Sequence, residues 1–233
     1  MNKTLKFVAA LGLFLSATGC VNNEQKKNDN VDGFNSTKVE PVDLGLTSGT
    51  KWASCNVGAE SPEKYGDYFA WGETTSKEVY SDTTYTYYIV PDSVAADSVT
   101  KAKKVWKNIG ADIAGTEYDA ATAILGDEWK MPNEAQCKEL VDECEWSWTE
   151  LNGVNGYKVV GKNGNSIFLP ASGVRGAADV VKNDMIGGFW SSTLCEAAET
   201  SGDFAMAVYF FSESRAVEKG GRWMGRSVRA VAK

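Results

Sequence analysis

The chain carries 31 acidic side chains and no histidine, and this combination limits the chemistry within its reach. Without imidazole there is no Ser-His-Asp or Cys-His nucleophile and no His-bound metal hydrolase. Nor is there a side chain whose unperturbed pKa suits proton transfer near neutrality. Carboxylate-only chemistry survives, since two acids flanking a glycosidic bond can serve as acid and base. Asp67, Glu73, Asp127, Glu128, Asp184 and Asp203 are eligible, but no motif singles out a pair among so many acids. The expectation is a protein without catalytic residues, with a carboxylate-only glycan hydrolase as the alternative. The same acids could hold a hard cation, yet no EF-hand-like spacing occurs, and no close cysteine pair suggests zinc. No metal or cofactor is expected.

Recognition chemistry is better represented. The stretch Ser212-Glu-Ser-Arg-Ala-Val-Glu-Lys-Gly-Gly-Arg-Trp223 concentrates mixed charge and a tryptophan, the composition of a recognition loop anchored by Arg and Trp. Arg215, Glu218, Arg222 and Trp223 are its candidate ligand-binding residues, and a solvated hairpin loop is the competing reading. The tryptophans invite a sugar-stacking role. However, Trp52, Trp71, Trp129, Trp146, Trp148 and Trp190 lie in strand-like segments or beside helix ends, where large aromatics supply burial. Trp223 is the exception expected at a loop edge. Tyr80, Tyr85, Tyr87 and Tyr88 cluster in a Thr-, Ser- and Asp-rich stretch and suit either an adhesive patch or a β-segment packed on the domain.

These residues must be delivered and positioned. Lys3 and Lys6 precede an apolar run, Phe7 to Leu15, and then small residues up to Gly19-Cys20, the layout of a secretory signal. About ten apolar residues cover roughly half of a ~30 Å hydrocarbon layer, so the segment targets rather than anchors. Ser16-Ala17-Thr18-Gly19-Cys20 resembles a bacterial lipobox, which implies acylation of Cys20 and cleavage before it. Residues 20–40 are polar and read as a tether. If flexible, they reach about 25 Å. The layout expected is a signal peptide at 1–19, a lipid-anchored tether at 20–40 and one domain at 41–233. The formal charge of −7 argues against nucleic acid as a partner. Cys55, Cys137, Cys144 and Cys195 form an even set in an exported chain, which allows one or two disulfides.

Within the domain, residues 42–46, 51–57 and 67–71 have strand character, and 75–105 reads as a long excursion from the core. Thr116 can cap a helix over 117–125 that stops at Gly126. Asn133 with Gln136 forms a capping box for a helix to about Glu143, whose buried face carries Cys137, Leu140, Val141 and Cys144. Those two cysteines, two turns apart, lie too far from each other to bridge, so any disulfide reaches to Cys55 or Cys195. Asn-Gly pairs at 152–153, 155–156 and 163–164 then predict hairpins between strands at 146–149, 157–160 and 166–170. Further strands are expected at 189–193, 204–211 and 226–231. The class is α+β.

Several ordered blocks also carry a family resemblance: Val42-Asp-Leu-Gly-Leu, Trp52-Ala-Ser-Cys-Asn-Val-Gly58, Gly66-Asp-Tyr-Phe-Ala-Trp-Gly-Glu73, Trp129-Lys-Met-Pro132, Gly153-Val-Asn-Gly-Tyr157, Ile167-Phe-Leu-Pro-Ala171, Phe189-Trp-Ser-Ser192 and Ser227-Val-Arg229. The chain resembles the Fibrobacter succinogenes major paralogous domain family, frequent in lipoproteins of Bacteroides-like bacteria. The resemblance spans roughly 42–232, interrupted at 75–105. It implies a C-type lectin-like fold, similar to that of formylglycine-generating enzymes, with antiparallel sheets, two helices and a loop-rich face that Arg175 approaches. It also implies outer-membrane anchoring through the N-terminal lipid, at the cell surface or periplasmic face, and a glycan or protein ligand. Two departures limit the transfer. Met131-Pro132-Asn133 stands where calcium-dependent lectins have Glu-Pro-Asn, and only Cys195 lies beyond residue 144, so the oxidase's cysteine pair is missing. Asp82-Thr83-Thr84, Asp92-Ser93-Val94 and Asp97-Ser98-Val99 resemble O-glycosylation sites of such exported proteins. A retroelement-diversified display protein, variable over 189–229, is a further alternative.

Overall fold

The computed structural model describes residues 39–89, 105–177, 179–181, 184–195 and 202–233. Cys20, Asp92-Ser93-Val94 and Asp97-Ser98-Val99 lie outside them. The described residues fold as antiparallel sheets with two α-helices. One sheet ties the start of the domain to its end. In it β1 (Pro41–Asp43) pairs with β2 (Lys51–Ala53), which pairs with β14 (Val231–Ala232), and β5 (Trp129–Lys130) closes the far edge.

The Asn-Gly signal at 152–153 forms the hairpin it predicts. Asn152 and Gly153 both take positive φ, 50° and 82°, the twist that lets a two-residue turn join right-handed strands. That turn connects β6 (Glu145–Leu151) to β7 (Val154–Val160), and a turn containing Gly164 leads to β8 (Ser166–Pro170). The pair at 155–156 is a correction, because Gly156 sits inside β7 opposite Pro170 rather than in a turn. A Cβ there would fall 2.3 Å from the Leu169 carbonyl oxygen, so the glycine serves close strand approach.

The C-terminal sheet is β11 (Ile186–Leu194), β12 (Phe204–Phe211) and β13 (Ser214–Gly221) in that order. Two small ribbons complete the strands: β3 (Tyr88–Ile89) with β4 (Val105–Trp106), and β9 (Val174–Gly176) with β10 (Asp179–Val181). Expected strands at 67–71 and 226–231 shrink to single bridges and a short end. Phe69 pairs with Arg226, Ser227 pairs with Phe189, and only Val231 onward joins a sheet.

Helix α1 (Ala120–Leu125) begins three residues later than predicted, capped by Asp119 and not Thr116. Thr116 is spent on the preceding turn, where its hydroxyl donates to Ile113 O at 2.8 Å. The buried Asp119 carboxylate is the stronger acceptor. It takes N–H groups of Ala121 and Thr122 from its own helix and of Gly115 and Met131 from outside it. Helix α2 (Glu134–Glu143) carries the predicted Asn133–Gln136 capping box. Its Cys137 and Leu140 are buried against Leu44, Trp52, Phe189, Val208 and Val231, with Val141 at the margin. Cys55, Cys137 and Cys144 are buried free thiols, so the two helix cysteines make neither of the disulfides that the cysteine count allowed.

Candidate recognition face

The stretch expected as a charged loop at 212–223 is mostly strand, and its period-two geometry decides what its side chains can do. Each residue of β13 pairs with one of β12, and alternate pairs face opposite sides. Arg215, opposite Phe210, stands over the Trp146 ring at 5.4 Å from its centroid. Glu218, opposite Ala207, projects to the other side and is exposed. The sequence reading grouped these two residues; the pleat separates them.

Arg222 corrects the reading more sharply, because it is buried to 2% exposure. Its Nε donates to Tyr85 Oη at 3.0 Å, Nη1 to Gly202 O at 3.1 Å and Nη2 to Lys107 O at 3.4 Å, while the guanidinium stacks 4.8 Å from the Trp71 centroid. It is a structural cation that fastens three loops. Arg229 is similar, donating to Asn56 Oδ1, Ala53 O and Phe168 O at 2.8–2.9 Å. Burial draws Arg229 and Arg226 well below the usual guanidinium range, to about 10.

Trp223 and Arg175 do reach a common place. Trp223 is half-buried against a cluster built on Tyr68, Ala70, Tyr80 and Tyr85. Arg175, on β9, lies 5.7 Å and 5.6 Å from the Tyr68 and Tyr80 centroids. Tyr80 and Tyr85 of the expected excursion are thus core, while the other described residues of that stretch are half-buried or exposed. Tyr80 Oη donates to Tyr68 O at 2.5 Å and Tyr85 Oη to Trp71 O at 2.7 Å, so both phenols are satisfied in the interior. Glu73, eligible as a catalytic acid, is committed to the same scaffold. It pairs with Lys77 at 2.7 Å and accepts from the backbone and hydroxyl of Thr86 at 2.8 Å each.

From this buried base the aromatic side chains run outward as a continuous row. Tyr88 and Trp106 sit 5.3 Å apart by centroid, Trp106 and Tyr85 5.4 Å, Tyr85 and Tyr87 5.5 Å, and Tyr87 and Tyr118 5.5 Å. Tyr85 is the buried keystone; Tyr88, Trp106, Tyr87 and Tyr118 are half-buried and keep part of each ring in solvent. Mostly edge-to-face geometry, favoured by the ring quadrupoles, makes the row rigid. Polar groups rim it. Trp106 Nε1 donates to Asp203 Oδ1, Lys107 Nζ stands 5.8 Å from the Tyr87 centroid, and Glu117 lies beside Tyr118.

The phenols of this region are held neutral. Burial pushes Tyr68 up to about 12, against the opposing charge of Arg175, and pushes Tyr85 and Tyr87 upward too, with Arg222 opposing. Tyr118 is raised chiefly by its hydrogen bond to Glu117. At neutral pH the Tyr68, Tyr85 and Tyr87 hydroxyls stay donated to the carbonyls of Ser172, Trp71 and Gly72, so what the region offers outward is apolar ring surface. Elsewhere, Asp184 accepts from the Tyr65 hydroxyl, and Asp127 and Glu128 are exposed in the turn before β5. Among the described residues no three Cys, Asp or Glu side chains gather as a metal site.

Tyr87 and Tyr88 were visible in the sequence as part of a tyrosine cluster. Trp106 and Tyr118 were missed, because they reach the row only through the pairing of β3 with β4 and the turn before α1. No family model, curated protein or solved structure matches this chain.

Proposed function

We propose that this chain is a non-catalytic lipoprotein of the bacterial outer membrane, anchored through Cys20. Its C-type lectin-like domain would then present the aromatic row as the binding face for a glycan at the cell surface or periplasmic side. The row carries the proposal: four partly exposed Tyr and Trp rings, fixed on a buried keystone and rimmed by Asp203, Lys107 and Glu117. Such rings give large contact area at small cost in rotamer entropy, and their faces suit the C–H surfaces of sugar rings while the rim suits hydroxyls. Trp223 and Arg175 adjoin the same cluster and extend the face.

A glycan array probed with the full-length chain, with and without calcium, tests this. Binding that survives chelation and is lost in Trp106→Ala supports it. Binding unchanged in Trp106→Ala and Tyr88→Ala removes the row from the site, and no binding to any glycan overturns the ligand class in favour of a protein partner.

A further inference from the structure

The sheet of β6, β7 and β8 has two unlike faces. Trp146, Trp148, Tyr157 and Val159 pack against the core. Strand register turns Thr149 and Leu151 of β6, Gly156 and Lys158 of β7, and Ser166 and Phe168 of β8 to the opposite side. A groove of about 420 Å³ runs over that side, walled by Val42 of β1, Ser54 and Pro62. Ser166, opposite Val160, lies at one end of it and Leu151, opposite Val154, at the other. Val154 and Val160 are six positions apart on β7, about 20 Å at ~3.4 Å per residue. The volume spread over that length gives a cross-section of about 21 Å², the width of one extended hydrocarbon chain.

The two ends of the groove differ chemically. Phe168 forms its floor, and the ring can settle on β7 because Gly156 has no side chain: a Cβ there would fall 2.7 Å from Phe168 Cζ. From the ring toward Leu151 the walls are apolar. Lys158, in register with Phe168, stands at the Ser166 end and is exposed. No carboxylate of the described residues pairs with it. Glu150 is the one acid of the lining, and the pleat turns its side chain to the face of Trp146 and Trp148. The charge facing the groove is therefore positive.

We infer that this groove binds a straight-chain fatty acid. Its carboxylate accepts from the Lys158 ammonium and the Ser166 hydroxyl, and its alkyl chain runs over Phe168, past Val42 and Pro62, toward Leu151. A sugar would leave hydroxyls unpaired against these walls, whereas each methylene gains from burial there. At about 30 Å³ for each non-hydrogen group, the groove holds about fourteen, the size of dodecanoate. The groove shares no residue with the aromatic row, so this inference does not depend on the glycan proposal.

Calorimetric titration of the full-length chain with octanoate, decanoate, dodecanoate and tetradecanoate, each below its micelle concentration, tests the inference against dodecyltrimethylammonium. Dodecanoate saturates one site and the cation does not bind. Affinity rises about two- to fourfold per methylene up to dodecanoate and then levels off, because the groove is full. Lys158→Glu weakens dodecanoate about tenfold or more. Leu151→Ala weakens dodecanoate severalfold and leaves octanoate unchanged, since only the longer chain reaches that end. Circular dichroism of both variants matches the parent. Equal binding of the acid and the cation, insensitivity to Lys158→Glu, an affinity that keeps climbing through tetradecanoate, or no saturable binding of any acid overturns the site.

Discussion

Arg222 Nε lies 3.0 Å from the Tyr85 hydroxyl, joining the turn after β13 to a tyrosine 137 positions earlier in the chain. The Tyr85 oxygen accepts this bond while its proton goes to Trp71 O, and Trp71 in turn stacks on the same guanidinium. The triangle is a fully satisfied buried network, and such networks are destabilised strongly when one member is removed.

Arg222→Ala is therefore predicted to cost about 2–4 kcal/mol, because it strands the Gly202 and Lys107 carbonyls and empties the space against Trp71. Arg215→Ala, on an exposed strand position over Trp146, should cost under about 1 kcal/mol. Urea unfolding midpoints of the two variants measure the contrast. Similar losses would mean that Arg222 is not the structural cation described.

Asp119 and Thr116 provide a second contrast. Asp119→Ala removes the cap of α1 and orphans the Gly115 and Met131 amides, for an expected loss of about 2–4 kcal/mol. Thr116→Ala loses the hydroxyl's bonds to Ile113 O and from Tyr118 N, both at exposed or half-buried turn positions, and should cost about 1 kcal/mol or less. Thermal unfolding ranks them, and a larger loss at Thr116 would return the cap to that residue.

Alkaline pH should act through Tyr68. Its phenol, donated to Ser172 O at 2.5 Å, keeps its proton to about 12 in the folded protein, while an unfolded tyrosine releases it near about 10. The unfolded state therefore binds fewer protons between these values. Tyr68's contribution is complete below about pH 10 and declines as pH rises toward about 12. Tyr68→Phe is less stable than the parent at about pH 9, and the gap should narrow as pH rises through this window. Chemical denaturation across the pH range would reveal a constant gap if Tyr68 does not titrate this way.

The aromatic row and the core tryptophans should separate in their effects. Trp106→Ala is expected to weaken glycan retention at least tenfold with a stability loss of about 1–2 kcal/mol, since the ring is half-buried. Trp190→Ala should cost about 3–5 kcal/mol, being fully buried with Nε1 bonded to Phe69 O at 2.8 Å. Affinity chromatography on the bound glycan together with calorimetric unfolding checks both.

What the sequence determined by itself was local. The Asn133–Gln136 box, the stop at Gly126 and the Asn152-Gly153 hairpin are set by dihedrals and hydrogen bonds within a few residues, so residue type alone specifies them. The absence of histidine likewise narrowed the chemistry without reference to any fold. Only the tertiary structure decided the fate of the charged stretch 212–223. Once it is strand, the pleat sends Arg215 and Glu218 to opposite faces, and cross-chain acceptors draw Arg222 inside. The row of rings is equally non-local, since β3–β4 pairing sets Trp106 beside Tyr88, and Tyr118 meets Tyr87 from the turn before α1. Burial and juxtaposition of this kind arise from contacts between distant segments, whose free energy no short window of sequence contains.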